Sequence, residues 1–167
     1  MNRPDWKSRP LRLWALAALL RTVEALTRLD SENGREKSES WFRQGKTCFG
    51  VWDNERLIAK MWCDLDEFYR PTRPRKLTAD DAYLFLAYVD PDYRGQGLAP
   101  KMRAAGYAAL QKMGRSKLYG YSRYFNTAAR RFKAKLGARE VGLTLHFRFF
   151  RKWSKSLTFR CTSNSSL

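Results

Sequence analysis

The spacing of apolar residues predicts an amphipathic helix near the start of the chain. Between residues 11 and 29, apolar side chains recur every three or four positions, and charged residues occupy the rest of the helical wheel. This pattern favours a helix with one face in the core. Docking on a membrane surface through Trp6, Trp14 and their basic neighbours is the alternative. Residues 30–40 have no apolar period and predict a loop or a frayed helix end.

Three β-prone runs follow. Residues 49–52 and 57–62 flank the turn-forming link Asp53-Asn54-Glu55-Arg56, which predicts an antiparallel hairpin. Residues 64–80 contain two prolines and many charges and predict a loop or a short irregular helix. Residues 83–89 carry no charge over seven positions, so they predict a central strand that is covered on both faces.

Helices and strands alternate in the second half of the chain. Residues 98–113 and 126–136 predict helices, each followed by a glycine where helices commonly end, and Asn126 is the expected N-cap of the second. Between them, residues 118–125 predict an aromatic strand. The C-terminal elements are one further strand with a short partner.

Apolar and polar residues alternate along residues 141–149, which predicts a strand with one buried face, and residues 157–159 are its expected antiparallel partner. The order of elements predicts an α/β (α+β) fold with a single mixed, largely antiparallel sheet flanked by helices. We expect an N-terminal helix and linker over residues 1–40, a main domain over residues 41–160, and a disordered tail over residues 161–167.

Composition and charge narrow the classes of protein. The 167 residues are 44% hydrophobic, 14% aromatic and 29% charged, which excludes a disordered chain, a collagen-like repeat and a polytopic membrane protein. Lysine and arginine (33) exceed aspartate and glutamate (16), for a net charge of +17. Residues 115–160 carry 13 of these cations and one acidic residue. The favoured partners are therefore anionic.

Cysteine usage favours a reducing compartment. Cys48, Cys63 and Cys161, with the single histidine His146, fit neither a disulfide framework nor a zinc site, so we expect no metal and a cytoplasmic location. The N-terminus has no signal-peptide pattern. Its longest nonpolar stretch, residues 13–20, is too short to cross a bilayer, which takes about 20 residues.

The segment with the clearest chemistry joins the apolar strand to the following helix through Gly95 and Gly97. Such a junction points several backbone N–H groups at one place, at the positive end of the helix dipole, and so predicts an anion site. The P-loop spacing is absent, and Pro100 occupies the third glycine position of a dinucleotide fingerprint. On glycine spacing alone, a tight structural turn is the alternative.

The spacing of Arg94, Gly97 and Ala99, preceded by Val89-x-Pro91, resembles motif A of the GNAT acyltransferase superfamily. A second pattern of that superfamily is matched downstream by Asn126, Ala129, Phe132, Lys135 and Gly137. The hairpin with Gly45, Phe49 and Trp52 looks like its second and third strands. The resemblance covers about residues 41–150. The superfamily's usual first strand is not evident before the predicted first helix.

The resemblance implies a thioester donor, usually acetyl-CoA or another acyl-CoA, in a cleft where strands 83–89 and 118–125 splay apart. The pyrophosphate would lie on the backbone amides of residues 94–99, and the pantetheine arm would pair with residues 87–89. A backbone N–H near Val89 would polarise the thioester carbonyl. The coenzyme-binding residues implied in this way are Ala87, Tyr88, Val89, Arg94, Gly95, Gln96, Gly97, Leu98, Ala99, Asn126 and Lys133.

Proton transfer is where the sequence departs from the superfamily. Many members place a tyrosine directly after the second-motif phenylalanine as the acid for the departing thiolate, and Lys133 occupies that position here. The remaining candidates are Tyr121, Ser122 and Tyr124, for which aromatic packing in the sheet is the alternative.

The sequence therefore predicts an N-acyltransferase in which a primary amine attacks the thioester of acyl-CoA directly. The acceptor is left open among a small molecule, a protein and an aminoacyl-tRNA, and the oligomeric state is left open. One alternative is a catalytically silent basic module that binds RNA or an anionic membrane. Another is an acyltransferase whose donor is an acidic acyl carrier protein. Arginines interleaved with aromatic residues suit either base stacking or acyl-chain burial.

Overall fold

A computed structural model of the protein describes residues 12–16, 32–69, 74–149 and 153–160. The chain divides into two compact units. The first comprises Met1–Phe68 and Lys76–Tyr121, and the second comprises Tyr69–Arg75 and Ser122–Leu167. The domain limits at residues 40 and 160 stay predictions.

The elements in chain order are β1 (Arg12–Leu16), α1 (Glu32–Arg43), β2 (Thr47–Asp53), β3 (Arg56–Asp64), β4 (Glu67–Phe68), β5 (Arg75–Lys76), β6 (Asp81–Val89), a 3₁₀ turn (Pro91–Tyr93), α2 (Leu98–Lys112), β7 (Lys117–Tyr119), α3 (Thr127–Lys135), β8 (Gly142–Phe149) and β9 (Trp153–Arg160). The first unit is built on a five-stranded sheet of order β1-β2-β3-β6-β7. Neighbours are antiparallel except for the parallel pair β6–β7.

Both faces of this sheet are covered by helices. On one face, α2 packs through Leu98, Met102 and Leu110 against a core that includes Met61. On the other, the end of α1 packs against Trp62. Because neighbouring residues of a strand point to opposite faces, β3 contributes to both cores. The predicted α/β fold class with a mixed central sheet is confirmed.

The predicted N-terminal helix is wrong over the residues of that segment that the structure describes. Arg12–Leu16 is a strand that pairs with β2 in register from Arg12 opposite Trp52 to Leu16 opposite Cys48. Five residues from an apolar run suit a strand as well as a helix, and the distant partner decides between them. This strand supplies the first strand that was not evident in the sequence. The rest of the predicted helix and the predicted disordered tail lie outside the described residues.

The segment predicted as a loop or frayed end over residues 30–40 is the helix α1. Its sequence contains glycine and serine and is a weak helix former. Trp41 and Phe42 at its C-terminal end make edge contacts with Trp62, with ring centres 5.1 and 4.8 Å away. Tertiary packing therefore stabilises a helix that propensity alone does not predict.

In the middle of the chain, some predicted elements are confirmed and others are wrong in part. The hairpin of β2 and β3 and the helices α2 and α3 are confirmed. The strand predicted over residues 118–125 is wrong beyond Tyr119, where β7 ends. The strand predicted as covered on both faces is buried in its first half, but Leu86 in its second half is 48% exposed.

The second unit contains α3 and a two-stranded sheet. β8 and β9 pair antiparallel, with Leu145 opposite Leu157 and Leu143 opposite Phe159, which confirms the predicted partner strand. The predicted buried face is wrong, since Leu145, Leu157 and Phe159 are all exposed. No helix in the described part of the chain has both the length and the apolar character to cross a bilayer.

Candidate functional site

β6 is paired on both edges only along its first half. Its parallel pairing with β7 begins at Asp81 and ends where Tyr83 meets Tyr119. β3 continues to pair with the opposite edge as far as Val89. Within the described residues, the β7-facing edge of residues 85–89 therefore has no strand beside it. The predicted pantetheine-binding residues Ala87, Tyr88 and Val89 lie on this open half.

A β-bulge marks the change between the two halves. Trp62 of β3 pairs with Phe85, whereas Met61 pairs with Ala87, so Leu86 is the extra residue. Leu86 has a positive φ of 37°, which is rare for a residue with a branched side chain. A bulge bends its strand and increases the local twist. This bend explains why β6 separates from β7 after Tyr83. The sequence holds no glycine or proline here that could have revealed it.

The turn after β6 is rigidly built. The Asp90 side chain accepts a hydrogen bond from the Asp92 N–H at 3.1 Å and caps the 3₁₀ turn. Gly95 and Gly97 then adopt φ values of 75° and 77°, which favour glycine. A Cβ atom built on Gly97 would meet no atom within 4 Å, so the space beside its backbone is open.

The amide run, defined as the N–H groups of residues 95–99, is left available by this turn. The Arg94 N–H donates to the Pro91 carbonyl, but among the described residues none of the five N–H groups that follow donates a hydrogen bond. No acidic residue lies in the first turn of α2. Free N–H groups at the positive end of a helix dipole are the groups that bind phosphate, so the amide run fits a pyrophosphate.

Side chains at the turn hold it closed. Arg94 Nε donates to the Val89 carbonyl at 2.9 Å, and its guanidinium carbon lies 5.5 Å from the centre of the Tyr88 ring. Gln96 Nε2 donates to the Asp92 carbonyl at 3.0 Å. Both side chains help to shape the turn. Coenzyme-binding roles for Arg94 and Gln96 stay predictions.

Two contacts from the β2–β3 hairpin anchor the turn, and sequence reasoning missed both. Arg56 Nη2 lies 2.8 Å from Asp90 Oδ2, and the Tyr93 hydroxyl donates to Asp53 Oδ2 at 2.8 Å. Burial, and then the hydrogen bond to Asp53, raise the pKa of Tyr93, so its hydroxyl stays protonated as a donor. These partners are 34 and 40 residues apart in sequence, so no local pattern could have paired them.

The predicted acid candidates fall in both units. Tyr121 belongs to the first unit and is exposed two residues after β7 ends. Ser122 and Tyr124 belong to the second unit. The Tyr124 ring lies 4.8 Å from the Arg130 guanidinium carbon, and its carbonyl accepts from Arg130 at 3.3 Å. Catalytic roles for these three residues stay predictions.

Two predicted coenzyme-binding residues lie in the second unit. Asn126 Oδ1 accepts the Ala129 N–H at 3.0 Å, which confirms Asn126 as the N-cap of α3. Lys133 lies in the last turn of α3 and is half-buried. Coenzyme-binding roles for both stay predictions. No group of three or more His, Cys, Asp or Glu side chains suited to a metal ion occurs among the residues that the structure describes.

Comparison with known proteins identifies the class to which this site belongs. A sequence model of the Acetyltransferase (GNAT) family matches residues 13–138. The chain therefore belongs to the GNAT family, and it is an acetyl-CoA-dependent acyltransferase. A search of curated protein sequences finds no match.

Solved structures of several acetyltransferases share the fold of this chain. The aminoglycoside acetyltransferase AAC(6′)-Iy, solved with a CoA bisubstrate analogue, is 14% identical with a TM-score of 0.62, over 84% of this chain and 98% of that one. AAC(6′)-Ig from Acinetobacter haemolyticus is 14% identical with a TM-score of 0.63, over 83% and 97%. The ribosomal-protein-alanine N-acetyltransferase from Brucella melitensis is 16% identical with a TM-score of 0.62, over 84% and 99%.

Proposed function

We propose that the protein transfers an acetyl group from acetyl-CoA to a primary amine, and that β6 and the turn after it hold the donor. One observation carries this proposal: a single strand-turn-helix segment contains an open strand edge, a β-bulge and the amide run. Acetyl-CoA and other acyl-CoA donors share the nucleotide and pantetheine parts that these groups would bind.

The amide run would bind the pyrophosphate through hydrogen bonds from backbone N–H groups, helped by the dipole of α2. The contacts of Arg56 with Asp90 and of Tyr93 with Asp53 hold these N–H groups in place before binding. A preorganised site spends less binding energy on ordering the loop. The turn would thus recognise the anionic end of the donor through its backbone N–H groups.

The open half of β6 would position the reacting end. Backbone groups of residues 87–89 would pair with the amides of the pantetheine arm as a neighbouring strand does. Acetyl-CoA supplies a thioester whose carbonyl an amine can attack. A backbone N–H on this edge, near Val89 or at the Leu86 bulge, would stabilise negative charge on the carbonyl oxygen. Fixing the amine against the carbonyl supplies the rest of the rate enhancement.

A proton donor for the departing thiolate completes the mechanism. Lys133 stands where many relatives of this superfamily have a tyrosine, so we propose that Tyr121, Ser122 or Tyr124 provides the acid instead. The exposure of Tyr121 supports access to a substrate.

The second unit supports an additional anionic partner. Phe125 is 89% exposed, and Arg123, Arg131 and Lys135 lie on the surface near it in sequence. Exposed rings interleaved with cations suit RNA or an acidic protein. Three proposals therefore stand beside the acyl-CoA reaction: an aminoacyl-tRNA as acceptor, an acyl carrier protein as donor, and a basic module that binds RNA or an anionic membrane. A cytoplasmic location is also a proposal.

Thermal unfolding with acetyl-CoA tests the donor site. At a concentration about 100 times Kd, a ligand stabilises by ~2.7 kcal/mol, which raises Tm by about 5–10 °C in a chain of this size. Gly97→Glu places a carboxylate in the open space beside the amide run. We expect this variant to raise Kd about a hundredfold and to lose the Tm shift.

Gly114→Glu is the matched control. Gly114 follows the other end of α2, has a φ of 81°, and like Gly97 has no atom within 4 Å of a built Cβ. Both variants therefore carry the same backbone cost and the same new charge, but only Gly97 adjoins the amide run. Retention of the Tm shift in Gly97→Glu, or equal loss in both variants, would contradict the donor site.

A further inference from the structure

A row of aromatic rings crosses the face of the central sheet that carries α1. The aromatic row consists of Trp41, Phe85, Tyr83, Phe68 and Tyr119. Successive ring centres along it are 5.1, 5.6, 4.7 and 5.8 Å apart. Tyr83 and Phe85 stack at an interplanar angle of 16°, as expected for alternate residues of one strand that share a face.

The aromatic row meets the open edge of β6 at Phe85. Pairing between β6 and β7 ends where Tyr83 meets Tyr119, and Phe85 is the last residue before the Leu86 bulge. Tyr83 and Phe68 are buried, whereas Phe85 and Tyr119 are half-buried and keep accessible ring surface. A molecule that approaches the open edge from the α1 side therefore passes over Phe85 and Tyr119.

An ion pair lies beside this row. The Lys46 ammonium lies 5.9 Å from the centre of the Phe85 ring and forms an ion pair with Asp64. Burial opposes ionisation of Asp64, but hydrogen bonds from Lys46 and from the Glu67 and Asp66 N–H groups hold the pKa of Asp64 below its ordinary value. The carboxylate is thus already committed to partners within the protein and is not available to a second ammonium group.

We propose that the acceptor is a monoamine whose aromatic or apolar group packs on Phe85 and Tyr119, and not a polycationic amine. This inference rests on the proposed acyl transfer from acetyl-CoA at the open edge. Ring edges and faces bind an apolar group by packing and by aromatic contacts. A second or third ammonium on the same molecule would meet Lys46 and find the Asp64 carboxylate occupied.

Amine selectivity tests the proposal on the full chain. Thiol release from saturating acetyl-CoA is measured with phenethylamine, ethanolamine and the polycation neamine. We expect kcat/KM for phenethylamine to exceed that for each of the others by at least about tenfold, mainly through a lower KM. Equal values, or a preference for neamine or ethanolamine, would overturn the proposal.

Substitutions in the aromatic row test which residues cause the selectivity for phenethylamine. Phe85→Leu keeps an apolar side chain but removes the ring, and should lower the preference for phenethylamine about fivefold or more, with Kd for acetyl-CoA unchanged. Tyr119→Leu is a second variant with the same expected direction, in case the first does not fold. Phe68→Leu is the control, because it removes a buried ring of the same row away from the open edge. Loss of preference only in the control would contradict the assignment.

A binding measurement separates this inference from the proposed function. With CoA in place of acetyl-CoA, calorimetry should show that phenethylamine binds more tightly than ethanolamine. Acetyl-CoA binding without that preference would overturn the acceptor class alone. Failure of acetyl-CoA to bind at all would instead overturn the donor site.

Discussion

After Asp81 at its start, β6 carries no charged residue, yet its two halves differ in pairing and burial. Ala82 and Leu84 in the first half are buried, and strands lie on both edges there. Leu86 in the second half is 48% exposed, and β3 is the one strand that pairs with this half among the described residues. Side-chain polarity cannot account for the difference between Leu84 and Leu86, because the two residues have the same apolar side chain. The bulge and the early end of β7 account for the difference. They leave backbone N–H and C=O groups of β6 available to a ligand where a neighbouring strand would otherwise pair with them.

The largest expected difference between the halves concerns stability. Leu84→Ala removes a fully packed side chain and should lower the free energy of unfolding by about 2–5 kcal/mol. Leu86→Ala, two residues along the same strand, removes a half-exposed side chain and should cost less than about 1 kcal/mol. Urea denaturation measures both. Similar losses for the two variants would show that the second half is packed as firmly as the first.

The sequence predicts the features that depend on neighbouring residues and misses those that depend on residues far apart in the chain. The charge-free run of residues 83–89, the glycine turn and both ends of α2 are local signals, and the sequence predicts each of them. β1 and α1 were not, because each depends on a distant partner, β2 in one case and Trp62 in the other. The bulge at Leu86 arises from a register shift against β3, so no single-strand pattern encodes it.

The second prediction concerns the anchor of the turn that follows the open half. Tyr93→Phe removes the hydroxyl that donates to the buried Asp53 carboxylate, and should cost about 1–3 kcal/mol of stability. Because the turn then loosens, KM for acetyl-CoA should rise severalfold, with a smaller change in kcat. Denaturation and steady-state kinetics measure the two effects.

Tyr107→Phe is the matched control for that variant. Tyr107 lies in α2 and packs beside the same core, but no hydrogen bond of its hydroxyl is recorded among the described residues. It should change stability by less than about 0.5 kcal/mol and leave KM alone. If both variants raise KM equally, the Tyr93 hydroxyl does not hold the turn.

The smallest expected effects concern the bulge itself, and their order is more informative than their size. Leu86 adopts a positive φ of 37°, which costs an L residue roughly 1–2 kcal/mol and which glycine adopts freely. Leu86→Gly regains that cost but loses about 0.5–1 kcal/mol to the greater freedom of the unfolded chain, and less than about 1 kcal/mol with the half-exposed side chain. Its stability should therefore lie close to that of the wild type.

Leu86→Val should destabilise by about 1 kcal/mol or more, because a β-branched residue tolerates positive φ least. In urea denaturation the glycine variant should therefore match the wild type, and the valine variant should be the least stable. A regular strand would give valine, leucine, glycine in falling order, since valine favours strands and glycine weakens them. That order would mean that β6 continues without a bulge. In that case its second half would have no local cause to part from β7, and the open edge would need another explanation.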